Sequence, residues 1–409
     1  MTRGIALLLV ILNTAPCWAQ RQLSLAEAVD QALQSRTSLK AESERVAAAE
    51  GLRRQAGVIP NPEFQFQNEN LRPGQTYSRD VDTLAMINQP LDILGKRRGR
   101  IAVADEGVAR TDAEFALARW QVVQQVKLAY WVALGSQEIY KVLQTTLVNF
   151  QKIVDYHAAQ LSVGAIAEQD LLRVRLEAER LKISADLALI DVNRARMQLL
   201  KEMGARDFPN LTLTEVLAPS SEVTPLGLEQ VLAKRNEIRV AHAALKQAEA
   251  NARLQDVAAR PDLNVTYGYK RTQLPDTATG VNTAIVAVRV TLPTTDKNQG
   301  NRIAAAAEVR RQRELLAAVQ TDIRAEYEAA LQEYQSRRSE FLEALQPLRE
   351  HSTSIAAIAA AAYAEGGTDL LRLLDAERAR LEAELAWTQG MVEYRQSILK
   401  LEAAEGVDQ

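Results

Sequence analysis

The sequence predicts a mainly α fold with a small β part, in which one unit of long coiled-coil helices plus β-hairpins occurs twice. Composition is the first observation. Among 409 residues aromatics make up only 5%, with 18 Gly and 12 Pro, while Ala, Leu, Glu, Gln and Arg fill long stretches. That make-up suits long helices and coiled coils. Proline placement is the second. Residues 91–208 hold no proline, and residues 294–409 hold only Pro347. Proline is expelled from helix interiors because it lacks an N–H and clashes with the preceding turn. The third is internal repetition. DLLRVRLEAER from Asp170 is answered by DLLRLLDAER from Asp369, and Gly99-Arg100-Ile101-Ala102 by Asn301-Arg302-Ile303-Ala304. Asn61-Pro62-Glu63-Phe64 is answered by Arg260-Pro261-Asp262-Leu263, and Val126-Lys127 with Tyr130 by Ile323-Arg324 with Tyr327. Four matches in order, about 200 residues apart, make the chain two copies of one unit.

Residues 1–19 read as an export signal. Arg3 gives the positive start, GIALLLVIL the apolar core, and Cys17-Trp18-Ala19 a small-x-small cleavage site. A lipoprotein signal with Cys17 acylated is the competing reading, which Pro16 and Thr14 fit poorly. Beyond this segment no window approaches the ~18 consecutive apolar residues of a membrane-spanning helix.

The first repeat covers residues 20–204. An amphipathic helix is expected over 24–57, with Leu25, Val29 and Leu33 at helical spacing. A hairpin over 61–93 follows, in which Phe64 and Phe66 alternate with Glu63, Gln65 and Gln67, and Leu84 and Met86 return. Its turn at 72–82 carries Pro, Gly, Asp and Thr. Two long helices, 97–162 and 168–203, then meet at SVGAIAEQ; the first would reach about 99 Å if unbroken. Residues 205–225 link to the second repeat, 226–409. There a helix over 226–259 precedes a hairpin over 261–293 with cleaner alternation. Leu263, Val265, Tyr267 and Tyr269 share one face, and Ala284, Val286, Val288, Val290 and Leu292 oppose Thr283, Arg289 and Thr291. Helices over 300–364 and 369–403 meet at AEGGT, with a kink or break expected at Pro347. Seven-residue spacing at Leu176, Ile183, Ile190 and Met197, and at Leu385, Val392 and Leu399, predicts coiled-coil packing.

Several function classes are excluded early. A net charge of −3, from 49 Lys and Arg against 52 Asp and Glu, gives no basic footprint for nucleic acid. A single cysteine rules out a disulfide scaffold, and His157, His242 and His351 are too scattered for a metal centre. Gly95-Lys96 lacks the upstream glycine of a phosphate loop. No enzyme, cofactor or bound metal is expected. The cluster Lys96, Arg97, Arg98 and Arg100 reads as solvation of a helix start. Two-faced strands of about ten residues suit a transmembrane barrel, wet inside and lipid-facing outside. A small soluble sheet packed on the helices fits the same pattern. Four strands cannot close a membrane barrel, whose smallest form has about eight, so a barrel would have to be shared between subunits.

SLAEAVDQAL, NPEF, QPLDILGKRRGR and the two DLLR segments, in this order over nearly the whole mature length, resemble the outer-membrane efflux proteins of the TolC family. QPLDILGKRRGR and LPTTDKNQGNRIAAAAE are most similar to its heavy-metal (cobalt–zinc–cadmium) resistance branch. The resemblance implies a homotrimer with a 12-stranded β-barrel in outer-membrane lipid and a periplasmic α-helical tunnel, residues 205–225 lying in an equatorial belt. It implies a passive exit duct of a tripartite efflux system, with a periplasmic adaptor and an inner-membrane pump, the resistance-nodulation-division type, as partners. Heavy-metal cations are the candidate cargo. Val163, Gly164 and Ala165, with Gly366, Gly367 and Thr368, match the tips on which adaptors dock. Asp170, Tyr363 and Asp375 match gate residues of the family prototype, while Thr368 stands where its Arg would be and Arg372 replaces a second acid. Two alternatives are a periplasmic adaptor with one helical hairpin, and an exported coiled-coil scaffold without a pore.

Overall fold

The structure is a computed structural model and describes residues 21–71, 73–74, 81–219, 222–272 and 280–407. The signal segment with Cys17, and most of each hairpin turn, lie outside the described residues. The chain divides into two compact units: Met1–Arg36, Val122–Val223 and Tyr334–Leu399 form one, and Thr37–Gln121, Thr224–Glu333 and Lys400–Gln409 the other. In chain order the elements are β1 (Arg21–Leu23), α1 (Leu25–Ser35), α2 (Thr37–Ala56), β2 (Glu63–Glu69), β3 (Asp82–Leu91), α3 (Lys96–Ser162), α4 (Glu168–Glu202) and β4 (Leu211–Leu213). There follow α5 (Leu228–Lys234), α6 (Asn236–Ala258), β5 (Leu263–Thr272), β6 (Val281–Val290), α7 (Gln299–Ser339), a π-helix (Glu340–Leu345), α8 (Gln346–Ala364) and α9 (Leu370–Glu405). The order helix pair, hairpin, long helices occurs twice.

The second unit holds a four-stranded antiparallel sheet in the order β2-β3-β5-β6. Its register sorts side chains by chemistry, because residues directly opposite one another share a face. Phe64, Phe66, Ile87, Tyr267, Tyr269, Val286 and Val288 fall on one side. Among the described residues this side is poorly covered: Val286 is 77% exposed. The other side carries Glu63, Gln65, Gln67, Glu69, Asn88, Thr266, Lys270 and Thr283. Lys270 there bonds Glu69 at 3.3 Å. Leu84 and Met86, expected to continue the apolar run of the first hairpin, instead sit opposite Gln67 and Gln65 on the polar side. The pairings Phe66 with Ala85 and Phe64 with Ile87 impose this.

Each first helix, expected to be continuous, is broken once, at Arg36 and at Arg235, whose backbones are extended. The break has the same reason in both repeats. Arg36 donates from Nη1 to the Glu202 carbonyl at the end of α4 (3.2 Å). Arg235, buried, donates from Nη1 to the carbonyls of Ala403 and Ala404 at the end of α9 (3.3 and 3.0 Å). The last carbonyls of a helix have no internal partners and carry partial negative charge, so a guanidinium is a fitting cap. Arg235 also holds Glu237 and Glu326 and lies over Trp120. The paired tyrosines do similar work: Tyr130 donates to the Leu23 carbonyl (2.9 Å) and Tyr327 to the Leu226 carbonyl (2.6 Å). The linker contains a short strand that the sequence did not announce. β4 pairs in parallel with β1, and Gln137 bonds both backbone groups of Leu213.

α3 runs unbroken over 67 residues. Its counterpart is interrupted before Pro347, as expected, and the interruption is a π-helix. Pro347 has no N–H for the carbonyl of Glu343, and the chain widens one turn ahead of it, with the Gln346 N–H bonding back to Phe341. The widened turn buries Phe341 against Tyr394 and Trp387. Gly390 on α9 makes room, since a Cβ there would push the Leu345 side chain aside. The heptad expectation needs correction for α4. Its buried line runs through Leu171, Val174, Ala178, Leu181, Ala185 and Leu199. Leu176, Ile183, Ile190 and Met197 instead form an exposed stripe, Ile183 at 61%.

Candidate functional site at the helical turns

Two helix-to-helix turns, both in the first unit, hold the residues that the sequence marked. Each is closed by the same hydrogen bonds. The Ala165 N–H reaches Gln160 and Gly164 reaches Leu161; Gly367 reaches Ala362 and Gly366 reaches Tyr363. This is a Schellman ending, which places the residue just past the helix in the left-handed region. Gly164 (φ 73°) and Gly366 (φ 75°) occupy that position. A side chain there would meet open space. The backbone angle alone therefore demands glycine. Val163, Ala165, Gly366 and Gly367 are exposed, and Thr368 is half-buried.

The returning helices start differently. Asp369 caps α9 by accepting the Arg372 N–H (2.9 Å). Asp170 lies one turn further in, with its own N–H on the Ala167 carbonyl; an acid there complements the positive end of α4. Tyr363, near the end of α8, packs on a core of Phe150, Val154, Leu171, Val174, Leu370, Leu373 and Leu374. Its hydroxyl is bonded to His157 Nε2 at 2.8 Å, and the two rings stack at 5.9 Å. Burial, then the neighbouring Tyr156 and the negative charge of Asp170, push the Tyr363 hydroxyl above the usual tyrosine range.

His157 is 1% exposed, and its Nδ1 lies 2.8 Å from the Ile153 carbonyl. A carbonyl only accepts, so Nδ1 carries the proton, and in the neutral ring Nε2 accepts from the Tyr363 hydroxyl. The sequence reading missed this residue because it tested histidines only as metal ligands. Its signal was position: it falls seven residues after Phe150 on the buried side of α3.

Asp375 is not joined to Tyr363. It contacts Arg378 within its own helix at 3.5 Å. Arg378 turns its fork to Glu177 on α4, with Nε on Oε2 at 3.0 Å and Nη2 on Oε1. Glu177 is 8% exposed, and hydrogen bonds from Arg378 hold its carboxyl below the usual range against the opposing effect of burial, with Arg180 assisting. This pair between the two returning helices was also missed; it joins the acid of one DLLR segment to the Arg that ends the other. Arg372, at the second acidic position, has its backbone N–H on Asp369. The basic cluster at the start of α3 is engaged locally: Lys96 with Asp262 (2.7 Å), Arg97 with the Gly57 carbonyl (2.7 Å) and Arg100 with Asp92 (2.5 Å). Among the described residues no group of three or more His, Cys, Asp or Glu is placed to hold a metal, and no helix is long and apolar enough to cross a membrane.

The pattern of the outer membrane efflux protein family matches residues 28–205 and 227–407. The chain belongs to the outer membrane efflux protein family. The two matched stretches each contain one helix pair, one hairpin and one glycine turn, whereas the adaptor alternative would need only one helical hairpin. The cobalt-zinc-cadmium resistance protein CzcC of Cupriavidus metallidurans is 27% identical over 288 residues, 70% of this chain and 66% of CzcC. The match thus spans slightly under two thirds of that relative. Among solved structures, CusC superposes with a TM-score of 0.75 at 19% identity, covering 97% of this chain and 95% of CusC. The open state of the Neisseria gonorrhoeae MtrE outer membrane channel gives 0.74 at 21%, covering 93% and 88%. These structures share the fold of this family member.

Proposed function

We propose that this chain is the outer-membrane exit duct of a tripartite efflux system. Three copies join their sheets into a 12-stranded barrel in the outer membrane of a Gram-negative cell, and their helices form a periplasmic tunnel. The observation that carries this reading is the sheet of the second unit, four strands with an exposed apolar side and a polar side. Four strands are too few to close a membrane barrel, which needs about eight or more. The duct performs no chemistry: the pump supplies the energy, and the wet wall passes the cargo. The repeats, 20–204 and 226–409, serve as two quasi-equivalent staves, with 205–225 linking them and held to the first by β4.

The turns at Val163, Gly164 and Ala165 and at Gly366, Gly367 and Thr368 dock the periplasmic adaptor, which bridges to an inner-membrane pump of the resistance-nodulation-division type. Asp170 and Tyr363 take part in the gate, with Asp375 as a weaker member because it is held by Arg378. Likeness to CzcC, a cobalt-zinc-cadmium resistance protein, supports heavy-metal cations as cargo. Native mass measurement of the mature chain in detergent, after separation of inner and outer membranes, is the test. Three subunits in the outer-membrane fraction are expected. A stable monomer, or a soluble form, overturns the reading.

A further inference from the structure

Successive strand residues point to opposite faces, and β5 carries two cations in succession near its end, Lys270 and Arg271. Their surroundings differ. Lys270, on the polar side of the sheet, is answered within the chain by Glu69 (3.3 Å) and Asp82 (3.8 Å). Arg271 is on the apolar side, in the row Asn68, Thr83, Arg271 and Asn282. It is exposed, and among the described residues no acid pairs with it. Among the paired residues of that side it is the only charged one. Its counter-charge must come from outside the described chain.

The row closes the apolar side at the end where β5 passes toward β6. The next row inward is Phe66, Ala85, Tyr269 and Ala284, and the last row at the helix end is Leu91, Leu263 and Val290. Arg271 stands eight residues past Leu263, about 27 Å along the strand. With the strand tilt of a barrel, this covers most of an outer apolar band about 25 Å tall. Gln89, inside the band, spends its amide on the Pro60 carbonyl (3.0 Å). An arginine at the edge of the band costs far less than one at its middle, because its stem can carry the charge into polar surroundings. Gly280 leaves space for that course: a Cβ there would lie 3.0 Å from Arg271 Nε.

The row offers donors. Tyr269 donates its hydroxyl proton to Asn282 Oδ1, and Thr83 donates to Asn68 Oδ1 (3.1 Å). Both amide oxygens are engaged in this way, and Asn282 keeps its N–H groups to give. A planar guanidinium fork with an amide N–H beside it suits a phosphate, whose oxygens accept in pairs. We propose that Arg271, assisted by Asn282, binds the phosphate of a lipid headgroup, one site in each subunit. This rests on the reading of the apolar side as lipid-facing in the outer-membrane duct. There the helices lie in the periplasm, so the row meets the outer leaflet. The phosphate belongs to a phosphorylated glycolipid, the lipid from which Gram-negative cells build that leaflet.

The experiment uses mature protein purified from outer membranes, stripped of lipid in detergent and titrated with lipid A, a glycolipid bisphosphate. Native mass measurement counts the lipids bound per trimer. Arg271→Gln should bind about fivefold more weakly than the parent, the effect of one basic side chain at an anionic surface. Asn282→Asp keeps an acceptor for Tyr269 but sets a negative charge beside the phosphate, and should weaken binding at least as much. Arg271→Lys should recover part of the loss, since the charge remains without the fork. Lys270→Gln removes the same charge from the polar side and should leave binding unchanged. Taking the phosphates off lipid A should cost the parent at least fivefold, by the same reasoning. Equal affinity in the parent and Arg271→Gln overturns the proposal and leaves the duct reading in place. Phosphatidylglycerol bound as tightly as lipid A overturns the glycolipid assignment. If no trimer is recovered from the outer membrane, the duct reading fails and this site fails with it.

Discussion

At the scale of single residues, the glycine turns and the Glu177–Arg378 pair make different predictions. Gly164 and Gly366 are required by backbone angle and by no neighbour. Gly366→Val should therefore cost about 1–2 kcal/mol, the strain of a left-handed residue with a side chain, and lower the melting temperature without altering the subunit number. Glu177 has a depressed carboxyl in the fold. The unfolded chain binds that proton more readily, so the pair stabilises the fold above the ordinary glutamate range and loses this contribution as pH falls through the folded value. Arg378 is partly exposed, which screens the interaction. Glu177→Gln should accordingly lower stability by about 1 kcal/mol at neutral pH. Melting curves in acid should bring variant and parent together; a gap that persists there would assign the effect to packing.

At the scale of elements, the arginine caps and the sheet faces are the features to test. Arg235 is buried and serves two carbonyls and two acids. Arg235→Ala should destabilise by about 3 kcal/mol, because it leaves those groups without their partner. Arg36→Ala, at a more open site, should cost less. Arg235→Lys should rescue only in part, since an ammonium cannot reproduce the planar fork. In the sheet, Val286→Arg or Val288→Arg should hinder membrane assembly by about 2–4 kcal/mol near the bilayer midplane, and Thr283→Arg should cost less. Equal tolerance, scored as trimer recovered from membranes, would mean the sheet does not meet lipid. Helix and strand positions were legible because hydrophobic spacing and proline placement act locally. The breaks at Arg36 and Arg235 were not, because their cause is a carbonyl well over a hundred residues away in sequence. β4 was hidden for the same reason: three residues gain strand geometry only from β1 and Gln137. Of the site, the glycines showed themselves through turn chemistry, while His157 and Glu177 acquire meaning only once two repeats are side by side.

At the scale of the whole molecule, the exposed stripe of α4 points to contact between copies. Leu176, Ile183, Ile190 and Met197 are bare within one chain, and water-facing apolar residues at regular spacing mark an interaction surface. Ile183→Glu with Ile190→Glu should yield monomers with normal helix content, as read by native mass and circular dichroism. Retained trimers would place the subunit contact elsewhere. The sheet has its own arithmetic of closure. β2 and β6 are its two ends, and joining β6 of one copy to β2 of the next is a head-to-tail contact. Such contacts make a ring only when the rotation per copy divides a full circle; otherwise they continue without end. In the proposed duct, the turn that each four-stranded sheet contributes would therefore set the number of subunits. A substitution that flattens the sheet without weakening any strand pair would leave every joint intact and still turn the proposed three-membered ring into an open filament.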